Sequence, residues 1–188
     1  MESSALSAEL VNLAVHGDGR AIDQLLRYLR PLVVKYCRAR VGRSATTADD
    51  VAQDVCLAVL TALPNYREQG RPFLAFVYGI AAHKVADAHR ALARNRAEPM
   101  AEVPDQQSRG TGPEDFALQV ELNGAMGELL RVLPEKQREI LVLRVVVGLS
   151  AEETAEAVGS TPGAVRVAQH RALGRLRKEI AAASVPIG

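Results

Sequence analysis

Residues 161–178 carry Arg166, Arg171, Arg175, Arg177 and Lys178 without a single acid. An α-helix turns about 100° per residue. On such a helix Val165, Ala168, Ala172 and Leu176 share one face, with Leu173 and Gln169 at its margin. Gly163, Arg166, Val167, His170, Arg171, Gly174 and Arg177 share the other. Small residues between the bases would let such a helix enter a DNA major groove closely. Arg166 and His170 could then read base edges, while Arg171, Arg175, Arg177 and Lys178 anchor phosphates. The bland alternative is a solvated basic face on a bundle helix.

What precedes this helix favours the nucleic-acid reading. Ser150, with Glu153 three residues on, forms a capping box. A short helix follows and ends at Gly159, a residue suited to a left-handed C-terminal turn. Thr161 can cap the next helix, and Pro162 sits at its first position, where a missing N–H costs nothing. Small Ala155 permits close approach of two steeply crossed helices. Together these features spell a helix-turn-helix.

A second group of polar residues lies near the other end. Asp50, Gln53 and Asp54 share one exposed face of a helix whose buried side is Val51, Val55, Val59 and Leu63. A solvated acidic face is the plain alternative. A third segment, residues 73–94, begins aromatic and ends basic. Phe73, Phe76, Val77 and Ile80 form a stripe, mostly core, and His83, Lys84, Asp87 and Arg90 lie on or near another face. Aromatic surface beside polar groups suits unstacked single-stranded bases, which need stacking and hydrogen bonds together. His83 and His89 lack the i,i+4 spacing of a metal pair, and no carboxylate cluster suits acid–base or two-metal chemistry. No catalytic residue, metal or cofactor is expected.

These segments need helices to hold them. The chain has 188 residues, 48% hydrophobic but only 4% aromatic, a mix that favours helices over sheets. Net charge is +1, yet it is partitioned: residues 98–121 hold six acids against Arg109, whereas residues 161–178 are purely basic. A first helix over residues 9–15 should break at Gly17-Asp18-Gly19. A second starts at Arg20 with Ile22, Leu25, Leu26 and Leu29 inward, and Pro31 restarts or kinks it. Residues 42–47 read as a loop, with Thr47 capping the next helix and Asp49 and Asp50 in its first turn. That helix stops at Pro64. Gln69-Gly70-Arg71-Pro72 reads as a turn before the helix at Phe73.

Residues 95–113 are rich in Pro, Gly, Gln, Ser and acids and cannot bury enough apolar surface to order themselves. Helices return from Glu114, over residues 135–147, and then as the pair split at Gly159. The expectation is an all-α chain of two small helical domains, residues 8–96 and 114–180, joined by a flexible acidic linker at 97–113. Cys37 and Cys56 read as reduced packing residues. No segment has the roughly 20 apolar residues of a membrane span, no signal-peptide pattern opens the chain, and a cytoplasmic location follows. No further domain is expected after residue 180.

The three segments, in this order, resemble the extracytoplasmic-function (group 4) sigma factors of the sigma-70 family over about residues 9–180. Asp50-Val51-Ala52-Gln53-Asp54-Val55 is similar to the region 2.2 signature and residues 73–90 to regions 2.3 and 2.4. Leu133-Pro134-Glu135-Lys136-Gln137-Arg138-Glu139-Ile140-Leu141 through Leu176 is similar to region 4. The strings Gly70-Arg71-Pro72-Phe73-Leu74-Ala75-Phe76 and Ala164-Val165-Arg166-Val167-Ala168-Gln169-His170-Arg171 resemble the actinobacterial sigma-D and ShbA types.

The resemblance implies roles. Asp50, Gln53 and Asp54 would dock on the clamp helices of the polymerase beta-prime subunit. Phe76, His83, Lys84, Asp87 and Arg90 would lie at the melted −10 strand. Thr161, Gly163, Arg166, Val167, His170, Arg171 and Arg175 would meet the −35 element, while the apolar rear of region 4 contacts the beta-subunit flap. The linker would thread toward the RNA exit path. An anti-sigma factor is an expected further partner. The chain departs from the family at Phe76, usually Trp, at His83, often Asn, and at Val167-Ala168, usually Ser-Arg. The principal alternative is a helix-turn-helix regulator that acts on duplex DNA without being a polymerase subunit.

Overall fold

A computed structural model describes residues 6–41, 45–67, 72–97 and 127–183. The described elements are helices. Helix α1 spans Ala8–Val15, and Ser7 caps it by accepting from the Leu10 N–H at 3.1 Å. Gly17 then takes a left-handed turn at φ +89°, which favours a residue without Cβ. Asp18 opens α2, Gly19–Val41, by accepting from the Ala21 N–H at 2.8 Å. Pro31 does not restart this helix, which runs through it for 23 residues. Helix α3 spans Ala45–Ala62, a 3₁₀ turn carries Leu63–Asn65, and α4 spans Phe73–Ala97.

Two expectations at the start of α3 are corrected. The helix begins at Ala45, so Thr47 lies inside it and is not its cap, and Asp49 and Asp50 fall beyond the first turn. Asp49 has another task. Arg38 of α2 donates to both its carboxylate oxygens, at 2.9 and 3.0 Å. A bidentate charge-assisted pair between helices outweighs the smaller gain of an acid near a helix N-terminus.

The interior follows the apolar periodicity. Leu25, Leu29 and Val33 of α2, Val51, Val55 and Val59 of α3, and Val77, Ala81 and Val85 of α4 are buried. Cys37 is fully buried and Cys56 partly so, both as free thiols, and burial pushes the Cys37 thiol up to about 12. The expected turn at residues 69–71 and the linker at 98–113 lie outside the described residues.

After a short helical segment at residues 127–131, α5 spans Glu135–Leu141 and continues as a π-helical stretch, Val142–Val147. Arg138 stitches the two together: its guanidinium donates to the carbonyls of Leu130, Arg131 and Leu133 at the end of the preceding helical turn, Leu130 accepting from the Leu133 N–H as well. Gly148 ends the stretch at φ +91°. Helices α6, Ala151–Val158, and α7, Pro162–Ala183, complete the chain.

The C-terminal helices do not stand apart. Leu130, Leu133, Val142, Leu143 and Leu149 share one continuous apolar core with α2, α3 and α4. At its edge a charged cluster is sealed in. The Arg40 side chain is 5% exposed and that of Glu139 13%, with Nε and Oε2 2.8 Å apart. The N–H does not point at Oε2, so the contact is charge attraction more than a directed bond. Tyr36 donates its hydroxyl to Glu139 Oε1 at 2.6 Å and leans on the Tyr78 ring, centroids 5.2 Å apart. His89 Nε2 lies 3.0 Å from the Arg40 carbonyl oxygen, and burial holds its pKa below the usual 6.5.

Burial raises the Glu139 pKa even against the pull of Arg40 and Tyr36, so the carboxylate depends on both partners. Glu139→Ala would leave the buried Arg40 charge with only the exposed Glu135 carboxylate, 3.7 Å away, and should cost about 3 kcal/mol. Asp23→Ala, which breaks the exposed Asp23–Arg27 pair at 2.6 Å, should cost less than about 1 kcal/mol. Urea unfolding of both variants measures the contrast.

Candidate nucleic-acid interface

Local grammar builds the turn between α6 and α7. The Ser150 hydroxyl accepts from the Glu153 N–H at 3.0 Å, and the Glu153 carboxylate accepts from the Ser150 N–H at 2.8 Å, so both halves of the capping box form. Gly159 closes α6 at φ +60°, and the Ser160 N–H reaches back to the Ala155 carbonyl at 2.8 Å. Thr161 caps α7 by accepting from the Ala164 N–H at 3.2 Å, and Pro162 is its first residue. Ile140, Ala151, Ala155 and Val165 fill the crossing beneath the turn.

This packing fixes which face of α7 looks outward. Val165, Ala172 and Leu176 are buried. Thr161, Gly163, Arg166, Val167, His170, Arg171 and Arg175 are all exposed. Val167 is 50% exposed, a large apolar side chain offered to solvent between cations. Such a residue suits the methyl group of a thymine in a major groove. Arg144 of the π-helical stretch ties the helix down by donating to Gln169 Oε1 at 3.0 Å and to the Leu149 carbonyl. Arg166 donates to Glu152 Oε1 of α6 at 2.7 Å, a partner that the sequence reading did not name. Glu152 is held below the ordinary carboxylate range, chiefly by its own backbone N–H and then by Arg166.

The α4 residues form a stripe at helical spacing. Phe76 is half-buried, Lys84 is partly exposed, and His83, Asp87 and Arg90 are exposed. Asp87 pairs with Arg90 one turn on, and that bond is the main reason its pKa falls. Phe76 belongs to an aromatic group that the sequence reading left incomplete. Tyr66 lies 5.1 Å from both Phe73 and Phe76, centroid to centroid, and these two are 5.8 Å apart. Tyr66 stands just beyond the 3₁₀ turn Leu63–Asn65 that contains Pro64, and that break after α3 was the available signal.

On α3, Asp50, Gln53 and Asp54 are exposed together, because Val51 and Val55 point inward and Asp49 is taken by Arg38. The molecule thus offers an acidic patch on α3, a polar stripe with one aromatic on α4, and a cationic helix face on α7. Among the described residues no group of three or more His, Cys, Asp or Glu side chains is placed to hold a metal ion, and no helix is long and apolar enough to cross a membrane.

Comparisons with known proteins agree with this layout. The family pattern of sigma-70 region 2 matches residues 25–95, and that of sigma-70 region 4 matches residues 123–176. The chain is 63% identical to the ECF RNA polymerase sigma factor SigD of Mycobacterium tuberculosis over 186 residues, 97% of this chain and 87% of that protein. It is 51% identical to ShbA of Streptomyces griseus over 183 residues, 94% and 95% of the two chains. Among solved structures, CnrH in complex with the cytosolic domain of CnrY superposes with a TM-score of 0.71 at 27% identity, covering 94% of this chain and 97% of that one. RpoE of Bartonella quintana, solved with the anti-sigma factor NepR, shares the fold at a TM-score of 0.59 and 21% identity, covering 85% and 96%.

The turn that presents α7 rests on two residues whose loss should be measurable. Gly159→Ala places a Cβ in left-handed backbone and should cost about 1 kcal/mol, and Ser150→Ala removes the cap for about 1 kcal/mol. Hydrogen exchange of the α6 and α7 amides should report both losses, with α1 to α3 unaffected.

Proposed function

Because this chain belongs to the sigma-70 family as a factor of the extracytoplasmic-function type, we propose a division of labour among its exposed residues. The chain is a sigma factor that directs promoter-specific transcription by RNA polymerase. Residues 8–96 act as region 2, residues 97–113 as the acidic linker and residues 114–180 as region 4. Asp50, Gln53 and Asp54 dock on the beta-prime clamp helices. Phe76, His83, Lys84, Asp87 and Arg90 hold the melted −10 strand. Thr161, Gly163, Arg166, Val167, His170, Arg171 and Arg175 meet the −35 duplex.

The observation that carries this reading is the two-sided character of α7. Its Val165, Ala172 and Leu176 face is sealed against the protein, so its cationic face is free for duplex DNA. Arg166 suits a guanine edge, and Arg171 and Arg175 suit phosphates. Region 2 works differently. Strand opening costs unstacking energy, and aromatic and hydrogen-bonding groups on α4 recover part of it by holding extruded bases.

Each module makes few phosphate contacts and binds DNA weakly by itself. Attachment to one polymerase turns the second contact into an intramolecular event, and effective concentration supplies the affinity. Sigma factors are in general non-catalytic initiation factors, and here too the phosphodiester chemistry belongs to the polymerase. The place of action is the cytoplasm. An anti-sigma factor is a fitting regulator, since the RpoE relative of similar fold is held by one.

Three variants separate the interfaces. Asp54→Arg should weaken binding to sigma-free core polymerase by at least about tenfold, from charge reversal in a contact region. Arg166→Ala combined with His170→Ala should bind core normally yet lose dependence on the −35 sequence. Arg175→Ala should reduce the salt slope of promoter binding by about one without changing sequence preference. Fluorescence anisotropy with labelled core and labelled promoter fragments reads all three. Unchanged core affinity in Asp54→Arg would remove the α3 assignment.

A further inference from the structure

Glu152 stands beside the reading face of α7, where a carboxylate works against the phosphates of approaching DNA. Local structure gains only modestly from an acid there, in the first turn of α6 where a carboxylate suits the helix N-terminus. Ser150 and Glu153 already close the N-terminus of α6. An ion pair whose partners are 61% and 63% exposed adds little to folding stability. Even so, Glu152 Oε1 lies 2.7 Å from Arg166 Nη2 and bridges the two helices of the turn.

The chemistry of arginine gives the contact a use. A free Arg166 samples many rotamers and loses that freedom when it meets a base. Its guanidinium holds five N–H donors in a planar fork. The bond to Glu152 occupies an Nη2 hydrogen and leaves the remaining donors for a guanine O6 and N7. Further along the helix, Arg144 fixes Gln169 in the same manner, so α7 is tied at two points to the elements beneath it.

We propose that Glu152 is a positioning residue for promoter reading, one that holds the Arg166 guanidinium in a fixed orientation toward a base edge. It gives up some general attraction to DNA in exchange for discrimination among −35 sequences. The inference rests on the assignment of α7 as the −35-reading helix.

The test uses holoenzyme made from core polymerase and the full chain. Competition binding is measured against promoter fragments substituted singly at each −35 position, and against one with that element scrambled. Arg166→Ala identifies the positions that Arg166 reads. Glu152→Ala should reduce discrimination at those same positions by about 3- to 10-fold, with affinity for the scrambled fragment unchanged or higher. Glu152→Gln, which keeps an acceptor oxygen, should retain more discrimination than the alanine variant. The double variant should lose no more than Arg166→Ala alone, and melting temperatures should match the parent.

Equal changes across all fragments would reduce Glu152 to a source of general repulsion and overturn the proposal. So would additive losses in the double variant, or losses at positions that Arg166→Ala leaves intact. If Arg166→Ala itself spares all −35 discrimination, the assignment of α7 falls, and the positioning role with it. If only the Glu152 variants are silent, the assignment stands and the positioning role alone is rejected.

Discussion

The contact between Glu139 and its partners Tyr36 and Arg40 sets how the C-terminal helices sit on the rest of the chain. An ionised carboxylate and a guanidinium removed from water are each costly, by several kcal/mol, and are tolerated only when paired. Here the pair joins α5 to α2, and Tyr36 adds a short hydrogen bond from the same helix. Apolar packing alone would hold Leu143 and Val142 against α2 in more than one register. A buried guanidinium that must meet the Glu139 carboxylate, with exposed Glu135 3.7 Å away as a second and weaker partner, removes that freedom, at some cost in stability. The π-helical stretch follows directly, and from it Arg144 reaches Gln169 on α7. Two sets of specific polar contacts, joined by α5 and the π-helical stretch, therefore link α2 to the face that would meet DNA.

The surfaces offered to partners share a different logic. On each helix a mostly apolar stripe faces the core, Arg40 and Thr154 being the buried polar exceptions among the described residues, and most other polar residues are left outward. Asp50 and Asp54 are exposed because Val51 and Val55 are buried, and Arg166 and His170 because Val165 and Ala172 are. Packing thus positions the functional groups without touching them. Surfaces of this kind bind modestly one by one, which suits a subunit that must be recruited, must hold two DNA elements together, and must then let go.

What was legible in the sequence was local. The capping box of Ser150 and Glu153, the left-handed Gly159 and the cap at Thr161 depend on residues within a few positions of one another, and all three are present. The valine ladder of α3 was equally readable, since periodicity reports one buried face. Contacts between distant segments were not readable. Thr47 had the chemistry of a cap but lies inside α3, and Asp49 pairs with Arg38, eleven residues earlier on another helix. Pro31 signalled a restart or a kink, and α2 continues through it without a restart. Nothing in the residue types around Glu139 announced Tyr36, which lies 103 positions away. The same holds for Glu152 beside Arg166, whereas the break after α3 was the one signal for Tyr66 beside Phe76.

Run-off transcription with purified sigma-free core polymerase, this protein and a pool of promoter fragments tests the central claim most directly. The account predicts discrete transcripts from a subset of fragments sharing −35 and −10 elements, none from core alone, and no sequence-specific duplex binding by the protein without core. Tight, sequence-specific binding to duplex DNA as a dimer in the absence of core, with no transcript when core is added, would contradict it.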